Sequence, residues 1–249
     1  MNEMYFKKIF ILTLFILFVP MMAMAEPVIN IVDYPQEVMA GEDAQLTLKW
    51  SDIPENSKYV LVVQLENWDI KPAVFVRKDI DSYKAQDTKK VTLEIPPGIT
   101  LNPIKEGFRF VAAFLSGEKD WEETLCVTST PKDVSLKSKV NIIGFPAVVF
   151  PGEKAKVRAS WHDIPTDAGY ILIVQFENWD AKPPIVNYIE ISDFKSSGSR
   201  TVEVEIPDEA KSSSFISGYR FVAAFISAEK GWEDLFAADA TSKVISIKK

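Results

Sequence analysis

Residues 64–72 (QLENWDIKP) return as residues 175–183 (QFENWDAKP), 111 positions later. The same offset holds along the chain. Residues 50–72 and 161–183 are identical at 14 of 23 positions, and residues 108–121 and 219–232 at 10 of 14. Tyr34-Pro35 aligns with Phe145-Pro146, Gly41 with Gly152 and Ile95-Pro96 with Ile206-Pro207, with no net insertion between them. A repeat of this length is a whole domain, unlike the solenoid unit of about 20 to 45 residues. The chain must therefore fold as two copies of one module. We expect the first at 26–136 and the second at 137–249, with the polar run Ser135 to Lys139 (SLKSK) as the joint.

Within a copy the apolar period is two, which is that of strands with one face buried. Leu46, Leu48 and Trp50 share a face, as do Val157, Ala159 and Trp161. In YVLVVQLENW the inward set is Leu61, Val63 and Leu65, matched by Leu172, Val174 and Phe176. The runs VFVRKDI, KVTLEI, GFRFVAAFL and ETLCVTS add strands, and breakers separate them at Pro35, Gly41, Asp52 to Pro54, Pro96 to Gly98 and Gly107. About seven short strands per copy, with turns at regular spacing, predict an all-β chain of two tandem immunoglobulin-like antiparallel β-sandwiches. Trp50 and Trp161 are in phase with the core and are assigned to packing.

The N-terminus differs from the modules. Lys7 and Lys8 precede an apolar run that ends in Ala23-Met24-Ala25, the small-x-small pattern of a signal peptidase site. The run is short for a membrane span. Residues 1–25 are thus expected to be a cleaved signal peptide, giving an exported protein, periplasmic or extracellular, with no membrane span after cleavage. The whole chain carries a formal charge of −7, and losing Lys7, Lys8 and Glu3 makes it more acidic. Such a chain has no overall electrostatic footprint for phosphate backbones, so no nucleic-acid partner is expected. One cysteine, Cys126, forms no internal disulfide; its counterpart is Ala237, which assigns it to the core as a small thiol.

Catalytic chemistry finds few candidates. The one histidine, His162, aligns with Ser51 and stands in no triad or zinc-ligand spacing. Carboxylate pairs such as Glu66 with Asp69 or Glu118 with Asp120 are what an acidic surface carries anyway. Glu118, Asp120, Glu122 and Glu123 lack the spaced acidic loop of a calcium site. The chain is read as non-enzymatic, without cofactor or metal.

The remaining tryptophans are the better candidates. If the strand runs to its last residue, Gln64, Glu66 and Trp68 point away from the core, as do Gln175, Glu177 and Trp179. The antiparallel neighbour RFVAAF begins where that strand ends, which places Arg109 by Glu66 and Trp68, and Arg220 by Glu177 and Trp179. An indole, a guanidinium and a carboxylate on an exposed sheet face can offer a sugar ring a flat platform and hydrogen bonds. The same three groups can equally stack and pair as a structural corner. Trp121 and Trp232 follow a hairpin turn among acidic residues, either as part of a ligand loop or as a plug closing the sandwich end. The plug is the favoured reading.

The stretches GFRFVAAFLSGEKDWEE and GYRFVAAFISAEKGWED, with the opening P..V..GE.A.....W.DIP, resemble β-sandwich accessory modules of bacterial polysaccharide-degrading enzymes, notably agarase-type hydrolases. The likeness covers both copies and carries over Arg109, Trp121, Arg220 and Trp232. It implies carbohydrate binding, here without an attached catalytic domain. The expected function is a secreted or periplasmic binding protein for a glycan or other polymer, engaged through Gln64, Glu66, Trp68, Arg109 and Trp121 and through Gln175, Glu177, Trp179, Arg220 and Trp232. The partner would be a polysaccharide or a cell-envelope component. The alternative is a chaperone-, adhesin- or scaffold-like envelope protein of two immunoglobulin-like domains.

Overall fold

Alternating side chains become strands wherever the pattern above places them. A computed structural model describes residues 25–54, 58–69, 73–102, 104–211, 218–241 and 245–248. The expected signal peptide lies outside the described residues except for Ala25, and so do Ile70, Lys71 and Pro72 of the opening motif. The first copy contains β1 (Val28–Asp33), β2 (Glu37–Met39), β3 (Asp43–Ser51), β4 (Tyr59–Asn67), β5 (Val74–Ile80), β6 (Asp87–Glu94), β7 (Arg109–Ser116), β8 (Asp120–Ser129) and β9 (Ser135–Lys137). The second contains β10 (Val140–Gly144), β11 (Val148–Val149), β12 (Lys154–Trp161), β13 (Tyr170–Asn178), β14 (Ile185–Ile191), β15 (Gly198–Glu205), β16 (Arg220–Ser227), β17 (Gly231–Ala240) and β18 (Ser246–Ile247). Among the described residues the one helical element is a 3-10 turn at Pro97–Leu101, and no helix is long and apolar enough to cross a membrane.

Each copy is an immunoglobulin-like sandwich. The three-stranded sheet β1-β3-β6 faces the four-stranded sheet β5-β4-β7-β8, and β2 joins β9 in parallel. The second copy repeats this with β10-β12-β15, β14-β13-β16-β17 and the parallel pair β11-β18. The inward sets fill one core per copy: Leu46, Leu48, Trp50, Leu61, Val63, Leu65, Phe110 and Phe114 in the first, and Val157, Trp161, Leu172, Val174, Phe176, Phe221 and Phe225 in the second. The two core tryptophans occupy equivalent places. Trp50 meets Phe114 edge-on at 5.8 Å and donates from Nε1 to the Lys84 carbonyl at 2.9 Å; Trp161 meets Phe225 at 5.8 Å and donates to the Lys195 carbonyl at 2.8 Å. A buried indole is tolerated there because its single donor is satisfied. Cys126 pairs in register with Phe114 and packs beside the core, where burial pushes its thiol pKa up.

The outer face of the four-stranded sheets departs from a simple in-out alternation. Along β4 and β13 the outward residues are buried as well as the inward ones. In the second copy part of that cover comes from the first. Leu101 of the 3-10 turn packs with Ile171, Ile173, Ala224, Ile226, Leu235 and Ala238. The Ala238 carbonyl accepts hydrogen bonds from Thr100 Oγ1 at 2.6 Å and from Ser138 Oγ at 2.7 Å. Asp239 contacts Lys105 Nζ and accepts the Ile142 N–H at 2.7 Å. Burial pushes the Lys105 pKa down to about 8. Ser138, in the polar run read as a joint, is thus fixed between the copies.

Candidate ligand groove

The antiparallel register of non-consecutive strands delivers the pairings that the sequence anticipates. Glu66 lies opposite Arg109 in the β4–β7 register, and Glu177 opposite Arg220 in β13–β16. Arg109 donates from Nε at 3.0 Å and from Nη2 at 2.8 Å to Glu66 Oε1. Arg220 donates from Nε to Glu177 Oε1 at 2.6 Å, and from Nη1 to the Leu101 carbonyl at 2.9 Å. The second carboxylate oxygen is used too: Gln64 Nε2 donates to Glu66 Oε2, and Gln175 Nε2 to Glu177 Oε2.

These bonds correct one expectation. Gln64, Glu66, Gln175 and Glu177 point away from the core but are not exposed; Glu66 keeps 4% of its surface and Glu177 3%. A carboxylate taken out of water must be paired and hydrogen-bonded, and here both of its oxygens are engaged. The glutamines and glutamates are therefore a foundation under the tryptophans rather than arms free to reach a ligand. The indoles themselves are open, Trp68 at 55% and Trp179 at 60%. Trp121 and Trp232 are also exposed, at 41% and 42%, which overturns the plug at the sandwich end. Ser116 and Ser227 accept the N–H groups of the two turn residues ahead, Glu118 with Lys119 and Glu229 with Lys230. The tight turn that results keeps both tryptophans out of the core clusters, and Trp232 lies over the outer sheet face.

Although the copies share all five candidate positions, their outer faces differ. In the second copy Gln175, Glu177, Trp179, Arg220 and Trp232 line one groove of about 690 Å³, together with Tyr188 and Glu190 of β14 and an apolar floor that includes Ile173 and Val222. Leu101 of the first copy supplies part of its wall. Trp179 Nε1 donates to Glu177 Oε2 at 2.8 Å, which fixes the indole while leaving its face to solvent. In the first copy the equivalent of Tyr188 is Arg77 and the equivalent of Gly231 is Asp120. Arg77 donates to Asp79 at 2.7 Å and to Asp120 at 2.9 Å, spanning the face from β5 to the hairpin. Trp68 spends one ring face on Phe75, stacked at 5.6 Å and 15°, where the second copy has Val186. The backbone accepts either residue at the hairpin, since Asp120 and Gly231 both have positive φ, 50° and 59°.

Thus Trp68 and Trp121 stand on a face bridged by an ion network, and Trp179 and Trp232 border an open groove. Tyr188, Glu190 and Leu101 were not among the candidates read from the sequence. The signal for the first lay in one aligned position, Arg77 against Tyr188; Leu101 had none, because it reaches the groove from the other copy.

Outside the groove, His162 and the acidic hairpin of the first copy have local partners. His162 Nδ1 lies 3.1 Å from Asp163 Oδ2 in an exposed turn. Asp120 faces Arg77, and Glu123 contacts Lys58 and Lys119, whose hydrogen bonds first and charges second hold its carboxyl below the usual range. Among the described residues no three His, Cys, Asp or Glu side chains converge on a metal-sized point.

No protein family and no curated protein matches the chain. Solved structures with a related arrangement include the ICAM-5 D1-D4 ectodomain fragment, at 10% identity over 89% of this chain and 53% of that one, with a TM-score of 0.27. Another is the Escherichia coli alpha-2-macroglobulin activated by porcine elastase, at 14% identity, 89% and 23% coverage and a TM-score of 0.29. The chain spans about half the length of the first and about a quarter of the second.

Proposed function

We propose that the protein is an exported, non-enzymatic binding protein that holds a glycan in the groove of its second module. The observation that carries this reading is the open groove between Trp179, Tyr188 and Trp232, with apolar ring faces presented at a sheet surface. Sugar rings have apolar faces and polar edges, and a flat exposed indole suits them without a deep pocket. The sequence resemblance to polysaccharide-binding accessory modules agrees with it. Since Arg77 bridges the first module's face, binding is carried by one site, and the first module contributes Leu101 rather than a second site. The gain in avidity that a doubled site would bring is not expected.

A protein partner is the second reading, favoured by a specific feature. β14 forms an edge of its sheet and carries one charged residue, Glu190, whereas the equivalent edge β5 carries three, Arg77, Lys78 and Asp79. Charged edges discourage strand addition, and apolar ones permit it.

The test is retention of the protein lacking residues 1–25 on a panel of insoluble polysaccharides of neutral, acidic and amine-bearing types. Retention on at least one of them, released by the corresponding soluble oligosaccharide, is the expected result. Absence of retention on all of them overturns the glycan reading and leaves strand addition at β14.

A further inference from the structure

We infer that the groove selects glycans that carry a protonated amino group; the inference rests on the glycan reading above. Three charged residues line the groove: Glu177, Arg220 and Glu190. The first two are spent on each other, with Gln175, Trp179 and the Leu101 carbonyl taking their remaining valences. Glu190 is exposed on the groove side of β14, two residues from Tyr188 on the same face, and has no ion-pair or hydrogen-bond partner among the described residues. One free carboxylate therefore sets the charge of the site.

The first module shows what such a carboxylate holds. Its counterpart there is Asp79, which grips the Arg77 guanidinium through Nε at 2.7 Å and Nη2 at 3.3 Å. The second module keeps the acid as Glu190 but replaces the arginine with Tyr188 and the second acid, Asp120, with Gly231. The anion and the space are retained while the internal cation is gone. A cation arriving with a ligand would find the carboxylate and the electron-rich faces of Tyr188, Trp179 and Trp232, an environment that attracts positive charge. A uronate or sulfated chain would meet an unpaired carboxylate and an acidic protein instead. A neutral sugar would use the aromatic faces and leave Glu190 unpaired. An amino sugar polymer satisfies both parts of the groove.

The experiment uses the chain lacking residues 1–25 and four soluble probes: a β-1,4-linked glucosamine hexamer, its fully N-acetylated counterpart, a galacturonic acid hexamer and hexalysine. The two amino-sugar hexamers have the same backbone and differ in their N-acetyl groups and charge. The glucosamine hexamer is expected to bind at least about tenfold more tightly than the N-acetylated one, with no binding of the galacturonate. Glu190→Gln, on an exposed position, is expected to abolish that preference by weakening binding of the glucosamine hexamer to at most the level of the N-acetylated one. Equal binding of the two hexamers, or a preference that survives Glu190→Gln, overturns the inference and spares the glycan reading. Binding of neither hexamer while the galacturonate or another glycan is retained also overturns it. Hexalysine binding as tightly as the glucosamine hexamer assigns the site to a basic peptide and overturns both.

Discussion

Replacing Arg220 by alanine is expected to destabilise the second module by about 3 kcal/mol, because it strips a buried carboxylate of its cation. Glu177 is 3% exposed, and its Oε1 is held by Arg220 Nε at 2.6 Å. Breaking a fully buried pair from one side costs about 3 to 5 kcal/mol. The Arg220 side chain is 35% exposed, so water can enter the vacated space and reduce that cost. The lost hydrogen bond to the Leu101 carbonyl adds about 1 kcal/mol. For a domain of this size the sum corresponds to a fall in Tm of roughly 10 °C or more, measured by calorimetry. Arg109→Ala should cost less: Arg109 has the same carboxylate to hold but no donor to the other module. The double variant Glu177→Gln with Arg220→Met should recover much of the loss, since no charge then stays buried. A single-variant loss below about 1 kcal/mol would mean that the pair is decoration on the corner.

Replacing Trp179 and Trp232 together by alanine is expected to weaken glycan binding at least about 100-fold. Large aromatic side chains are the usual energetic anchors of a recognition surface, and each tenfold step in affinity is about 1.4 kcal/mol, so about 1.4 kcal/mol from each indole suffices. The fold should survive, because both rings are exposed and neither belongs to a core cluster. The matched pair Trp68→Ala with Trp121→Ala removes the same residue types from the same positions of the first module. That pair should change affinity by less than about threefold, since Arg77 with Asp79 and Asp120 bridges that face. Equal losses from the two pairs, read by titration calorimetry on a soluble oligosaccharide, would place a site on each module.

These results turn on features of unequal visibility in the sequence. The offset of 111 and the period of two were enough to obtain the sandwiches, the core role of Trp50 and Trp161, and the cross-strand partners Glu66–Arg109 and Glu177–Arg220. Those follow from local alternation and antiparallel register, which one strand and its neighbour specify. The burial of Glu66 and Glu177 was not legible. Alternation says which way a side chain points but not what else comes to engage it: Gln64 and Arg109 hold Glu66, and Gln175, Arg220 and Trp179 hold Glu177. The difference between the modules was printed in the sequence as Arg77 against Tyr188 and Asp120 against Gly231. It acquires meaning once β5 and the hairpin before β8 are known to flank the same face, which allows one guanidinium to reach both acids. The contribution of Leu101 depends on how one module docks on the other. That docking is settled by Thr100, Ser138, Lys105 and Asp239, none of which has a repeating pattern to betray it.

Repetition of a motif and repetition of a site are therefore separate matters in this protein. The nine-residue segment ending each central strand recurs because the strand corner recurs, with its buried carboxylate and its arginine. The groove is defined by the residues that differ around it. The most direct measurement is a proton–nitrogen NMR titration of the six indole N–H signals with a soluble oligosaccharide that the protein retains. The account predicts that the Trp179 and Trp232 signals shift with ligand while those of Trp68 and Trp121 on the bridged face, and of Trp50 and Trp161 in the cores, stay in place. Shifts of Trp68 and Trp121 as large as those of Trp179 and Trp232 would contradict it.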